Sequence, residues 1–326
     1  MNSNNQNPHP IQTALEQIYA IVATEKGGAL ASYIPELAQV EPDRFGLALM
    51  STKGQLFVVG DVDVPFTIQS VSKAFSYCLA LELLGRDAVQ LRVGVEPSGD
   101  AFNAIEFDPI TRRPFNPMVN AGAITVAGIL RDAYGNDAFN QVMARFSKAA
   151  GRTLVMDENV YRSEASTGHR NRAIGHLLCA TGALAEPVDA AVDLYFRLCS
   201  IQVTARDLAN MAATLANLGE NPATNVEVFD LRAVRDTLSV MLSCGMYDYS
   251  GSWIYDVGIP AKSGVGGGLI GVVSRQLGIG SFAPRLDGKG NSVQGVAAFR
   301  RLADELGLHM FDCTNMGSSF VERLTR

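Results

Sequence analysis

Metal-binding and disulfide patterns are missing from this 326-residue chain. Its five cysteines, Cys78, Cys179, Cys199, Cys244 and Cys313, are odd in number, widely spread and form no C-x-x-C. That argues against a disulfide framework or zinc site and suits a reducing compartment. The four histidines, His9, His169, His176 and His309, show no H-x-x-x-H or H-E-x-x-H spacing, so no ligand set for a catalytic metal is expected. Charge is sparse at 18%, and 27 basic residues face 33 acidic ones for a formal charge of -6. Nucleic-acid backbones need a basic face, so a small polar metabolite is the better partner. Long hydrophobic runs are missing too. The longest, near residues 74–84 and 121–130, are about half the length of a membrane span. The polar start, Met1-Asn2-Ser3-Asn4-Asn5-Gln6-Asn7-Pro8, has no signal-peptide core and reads as part of a disordered lead over residues 1–10. A soluble, cytoplasmic protein without membrane contact is expected.

What the chain does have is apolar surface to bury, with 47% hydrophobic residues. Its length suffices for one large domain or two modest ones. Ile11, Leu15, Ile18, Tyr19 and Val22 recur at helical spacing. Two apolar runs, 46–50 and 55–59, flank Lys53-Gly54 and predict a β-hairpin. Residues 71–84 are apolar nearly all round, the pattern of a buried helix. Helical patterns follow at 119–130, 137–148, 173–184 and 188–199. Another opens with the capping-box signature Thr204-Ala205-Arg206-Asp207. Short β-like runs return at 253–258, 269–275 and 277–282, and a last helix is expected from Ser292 to about Leu306. Strands at both ends with helices between predict an α+β domain: an antiparallel sheet flanked by helices with an inserted helical subdomain.

Two motifs carry chemistry. In Gln69-Ser70-Val71-Ser72-Lys73, Ser70 stands where a strand-like stretch meets the buried helix. Ser70 and Lys73 are i and i+3, with Cβ atoms roughly 5–6 Å apart on a helix. A lysine there can take the hydroxyl proton if burial lowers its pKa from ~10.4 toward ~7–8, roughly 4 kcal/mol of environment. The bland alternative is a serine cap followed by a surface lysine. The second motif is Lys262-Ser263-Gly264-Val265-Gly266-Gly267-Gly268. With Ser-x-x-Lys it forms the pairing found in serine β-lactamases and penicillin-binding proteins. Its glycines let substrate lie close to the strand, and a backbone N–H there can complete an oxyanion hole with that of Ser70.

Two lookalikes are set aside. Gly266-Gly267-Gly268-Leu269-Ile270-Gly271 matches G-x-G-x-x-G but precedes a strand-like run, not a helix. Tyr134-Gly135-Asn136 sits in an inter-helix turn. The Asn116–Ile124 run places amide side chains at the start of a small-residue helix. Glu164 and Asn171 are seven apart and share a face if their stretch is one helix. Tyr195 and Tyr247 are phenols in apolar surroundings that need hydrogen-bond partners.

Together with Tyr33-Ile34-Pro35-Glu36-Leu37-Ala38, Glu96-Pro97-Ser98-Gly99, Arg162-Ser163-Glu164 and Cys244-Gly245-Met246-Tyr247, these pieces resemble the bacterial glutaminase family from about residue 11 to about 308. The family is similar in fold to serine β-lactamases and penicillin-binding proteins. The resemblance implies Ser70 as nucleophile, Lys73 as general base and Tyr247 as proton relay. It implies an oxyanion hole from the N–H groups of Ser70 and Val265. Tyr33, Asn120, Glu164, Asn171 and Tyr195 correspond to substrate-binding groups. It implies L-glutamine as substrate, no cofactor, and a homo-oligomer, dimer or tetramer. One catalytic domain over 11–308 is implied, with a sheet lobe at about 11–70 and 245–308, a helical lobe at about 71–244, and a tail at 309–326. A penicillin-recognising serine hydrolase shares Ser70, Lys73 and Lys262 but leaves Glu164 and the Asn120 segment unexplained. A catalytically silent amino-acid sensor would not need the intact Ser70, Lys73 and Tyr247. Asparagine differs by one methylene, worth only about 1–3 kcal/mol, so side activity on it stays open.

Overall fold

The computed structural model of the protein describes residues 9–99 and 105–312. The expectations for residues 1–8, for Cys313 and for the tail beyond residue 312 lie outside the described residues. In chain order the first elements are α1 (Pro10–Val22), α2 (Pro35–Ala38), β1 (Gly46–Ser51), β2 (Leu56–Gly60), β3 (Phe66–Thr67), α3 (Ser72–Leu84), α4 (Arg86–Gln90), α5 (Asn120–Tyr134) and α6 (Ala138–Ala150). Next come β4 (Val155–Met156), α7 (Glu158–Thr167), α8 (His169–Ala180), α9 (Val188–Cys199), β5 (Ile201–Val203), α10 (Ala205–Ala216), β6 (Glu220–Asn221) and β7 (Val226–Glu227). The last are α11 (Leu231–Cys244), α12 (Ser250–Asp256), β8 (Ala261–Ser263), β9 (Gly268–Val273), β10 (Leu277–Phe282) and α13 (Val293–Leu306).

The main sheet has the order β2-β1-β10-β9-β8 and is antiparallel throughout. Alternation along its strands sorts side chains between two cores. Leu47, Leu49, Leu269, Leu277 and Ile279 join Leu15, Ile18, Val22, Phe299 and Leu302 of α1 and α13 on one face. Ala48, Met50, Ile270, Val272 and Phe282 face the larger core on the other. There α10 lies almost against the strands. A Cβ on Gly278 would come 2.0 Å from the Ala213 nitrogen, and one on Gly280 would come 2.4 Å from the Ala205 oxygen. Glycines on the strand and an alanine-rich helix face are what permit so close an approach. Helix α10, which falls within the stretch assigned from sequence to the helical lobe, therefore packs on the sheet.

The predicted hairpin, the capping box at Thr204 and the helix capped by Ser292 are all present. Helix α3 is buried continuously from Ser72 to Leu81, packed between α5 and α11. Two expectations fail. The β-like run 253–258 is largely helix α12, because Trp253 and Val257, four residues apart, both turn into the core, Trp253 against Phe299, while Tyr255 is 87% exposed. The single helix carrying Glu164 and Asn171 is broken at Gly168 into α7 and α8. Phe196 presses on that break, 2.2 Å from where a Gly168 Cβ would sit.

Candidate active site

Ser70 sits in a short 3-10 turn, Gln69–Val71, between β3 and α3. Gln69 has φ 48, a left-handed backbone costing about 1–3 kcal/mol in a non-glycine residue. The loop after β8 is pressed onto this turn. A Cβ on Gly266 would lie 2.6 Å from the Thr67 carbonyl, and one on Gly264 would lie 3.0 Å from that of Ile68. Glycines at both positions thus bring Val265 beside Ser70.

A cavity of 470 Å³ opens above this junction, lined by Tyr33, Ser70, Asn120, Glu164, Asn171, Tyr195 and Val265, all singled out in the sequence. Glu164 and Asn171 meet there from different helices, not from one helical face. Tyr247 lines a neighbouring cavity of 230 Å³ instead. Its side chain nonetheless reaches the junction, hydrogen-bonded to the Ser70 side chain and donating to the Ser263 carbonyl at 2.9 Å.

Lys73 lies under the cavity at 2% exposure. Its Nζ donates to Asn120 Oδ1 at 2.6 Å and to the Met118 carbonyl at 3.3 Å. Burial lowers its pKa to about 8, against a weaker opposing pull from Cys199 and Glu164. A neutral amine can make both donations and keep its lone pair for a third group. The bland reading of Lys73 as a surface residue is therefore excluded.

The cavity wall is a connected network that shares Asn120 with Lys73. Asn120 Oδ1 also accepts from the Tyr195 hydroxyl at 3.2 Å, and Asn120 Nδ2 donates to Asn171 Oδ1 at 3.1 Å. Tyr33 donates from one hydroxyl toward Gln69 Oε1 at 3.0 Å and Glu164 Oε1 at 3.1 Å. Glu164 is 6% exposed, and burial raises its pKa. Among the described residues no cation pairs with it, and a buried carboxylate so placed is primed to accept one.

Sequence reasoning gave no role to several groups gathered here. Gln69 ties Tyr33 to the strained turn. Cys199 lines the cavity as a fully protonated thiol, pushed by burial up to about 12. Lys262 is wholly buried, donating to the carbonyls of Gly245 at 3.1 Å and Ser263 at 2.5 Å, with its Nζ 4.2 Å from the Tyr247 ring centre. Desolvation, with the nearby Lys73 charge, holds its pKa well below the usual lysine value. The apolar strand flanking Lys262 was the available signal for its burial.

A buried hydroxyl, a buried amine of lowered pKa and a buried carboxylate across a small cavity suit nucleophilic attack on a small zwitterion's side chain. Comparison with known proteins identifies the family. The glutaminase family model matches residues 28–311. A glutaminase of Trichormus variabilis is 48% identical over 309 residues, 95% of this chain and 92% of that one. Glutaminase 2 of Bradyrhizobium diazoefficiens is 52% identical over 303 residues, covering 93% of this chain and 48% of that longer one. Among solved structures, Mglu in its glutamate form superposes with a TM-score of 0.89 at 43% identity, over 93% of this chain and 70% of that one. A probable glutaminase gives 0.88 at 36% identity, over 92% and 98%. The fold is the β-lactamase-like one of these neighbours, and with a family match spanning most of its length the chain belongs to the glutaminase family.

Proposed function

We propose that the protein hydrolyses the side-chain amide of L-glutamine to L-glutamate and ammonia by acylation of Ser70. The observation that carries this is the single cavity with the Ser70 hydroxyl on its floor, Lys73 beneath and Glu164 on the facing wall. Glu164, with Tyr33, holds the α-ammonium of the free amino acid. Asn120, Asn171 and Tyr195 offer hydrogen bonds for the α-carboxylate. The amide carbon then stands over Ser70 Oγ, where fixed orientation lowers the barrier.

Lys73 takes the Ser70 proton as Oγ attacks, and the N–H groups of Ser70 and Val265 stabilise the oxyanion, each such donor worth about 10²–10³ in rate. Tyr247, bonded to Ser70, relays the proton to the departing nitrogen. The C–N bond breaks, leaving a γ-glutamyl ester and ammonia. Water deprotonated by the same pair attacks the ester, glutamate leaves, and Ser70 regains its proton. No step calls on a cofactor.

The same reading places one catalytic domain over residues 11–308, assembled as a dimer or tetramer in the cytoplasm, with free glutamine as the substrate. Among the described residues no helix is long and apolar enough to cross a membrane. Ammonia release from L-glutamine, with L-asparagine and a chromogenic cephalosporin assayed beside it, tests the reaction. Release mainly from glutamine is expected. Cephalosporin turnover without ammonia release would assign the site to the penicillin-recognising reading, and binding without either would make the protein a sensor.

A further inference from the structure

The residue that aims Tyr247 is not in either cavity motif. Tyr247 has φ 58, so a bulky side chain occupies a left-handed backbone conformation that something nearby must enforce. Part of the constraint is Gly245, whose missing Cβ lets the turn lie on β8; a Cβ there would be 1.8 Å from the Ala261 carbonyl. Gly245 also accepts the Ser263 N–H at 3.2 Å. These contacts hold the chain before Tyr247, not Tyr247 itself.

Ser250 holds both sides of it. Its Oγ accepts the Met246 N–H at 3.1 Å and donates to the Tyr247 carbonyl at 2.9 Å. The hydroxyl of this buried residue thus ties the Gly245–Met246 peptide, just before the strained residue, to the Tyr247 carbonyl just after it. Without it, the buried Met246 N–H loses its partner, the Tyr247 carbonyl keeps only the Ser250 backbone N–H, and the left-handed turn loses its side-chain brace. The tyrosine hydroxyl would then relax from Ser70 and the Ser263 carbonyl.

Taking Tyr247 as the proton relay, we infer that Ser250 is a positioning residue for catalysis, setting the Tyr247 hydroxyl against Ser70 without touching substrate. Ser250→Ala is expected to lower kcat about 10–100-fold and leave KM within about threefold, since the Glu164 wall is untouched. A merely structural role is separated by a double-mutant cycle. In a Tyr247→Phe background, Ser250→Ala is expected to cost almost nothing further in kcat.

Ser250→Thr and Ser250→Val, equal in shape and different in the hydroxyl, serve if the alanine variant does not fold. Thr is expected to keep activity and Val to lose it. Equal activity of the Thr and Val variants, or full multiplication of the two losses in the cycle, would overturn the inference. Wild-type kcat in Tyr247→Phe alone would instead remove the relay on which the inference rests.

Discussion

Two lysines occupy the floor of the cavity region at 2% and 0% exposure, Lys73 and Lys262, and neither forms an ion pair among the described residues. Across from them the wall carries one carboxylate, Glu164, and a chain of amides and phenols that bond to one another. The floor leaves cations poorly solvated, hydrogen-bonded to backbone and amide carbonyl oxygens and flanked by the Tyr195 and Tyr247 rings. The wall is mutually satisfied apart from a charge waiting for an ammonium. Such a division separates the tasks: the floor makes a base at the expense of stability, and the wall makes a binding site at little expense.

Substitutions at the two places are expected to fail in different ways. The largest effect belongs to Ser70→Ala, for which loss of the nucleophile should lower kcat on the order of 10⁴-fold or more while glutamine still binds. Ammonia release and equilibrium binding read the two halves of that statement. Lys73→Met should lower kcat about 10²–10⁴-fold and, unlike most core changes, stabilise the fold. The shift from 10.5 to about 8 corresponds to roughly 3 kcal/mol of destabilisation while the amine is charged. Denaturant unfolding at pH 7 measures how much of that is recovered, and a loss of stability would contradict the picture of the floor.

The pH dependence carries the same sign. Lys73 has a folded pKa below its unfolded value, so the unfolded chain binds more protons between about 8 and 10.5. The penalty is full below pH 8 and fades as pH rises across that window. Turnover should likewise rise through about pH 8 as the amine becomes a free base, and a profile flat from pH 7 to 9 would count against Lys73. Smallest in expected effect is Glu164→Gln on the wall. Losing a hydrogen bond to a charged group, about 1.5–3 kcal/mol, should raise KM by about 10–100-fold with kcat changed little. A fall in kcat at constant KM would place Glu164 on the floor's side of the division.

Much of this was readable in the chain because local signals and the fold agreed. The hairpin around Lys53-Gly54, the Thr204 capping box and the all-round apolar pattern of α3 each specify an element without help from elsewhere. Burial of Lys73 follows from the same pattern. What escaped depends on contacts distant in sequence. Phe196 packs against Gly168 where α7 gives way to α8, and Trp253 seated against Phe299 accompanies a helix in an aromatic run that reads as strand. The left-handed backbones of Gln69 and Tyr247 leave no trace in residue type, since neither is glycine. They are held by the glycine-rich loop in one case and by the Ser250 hydroxyl in the other.

The central claim is that glutamine is opened by the Ser70 hydroxyl, and trapping the acyl group tests it most directly. The protein is mixed with L-glutamine, quenched in acid within a turnover and digested for mass analysis. The account predicts a γ-glutamyl group on the peptide containing Ser70, absent in Ser70→Ala. A γ-glutamyl group on another residue, or ammonia released at the wild-type rate by Ser70→Ala, would contradict it.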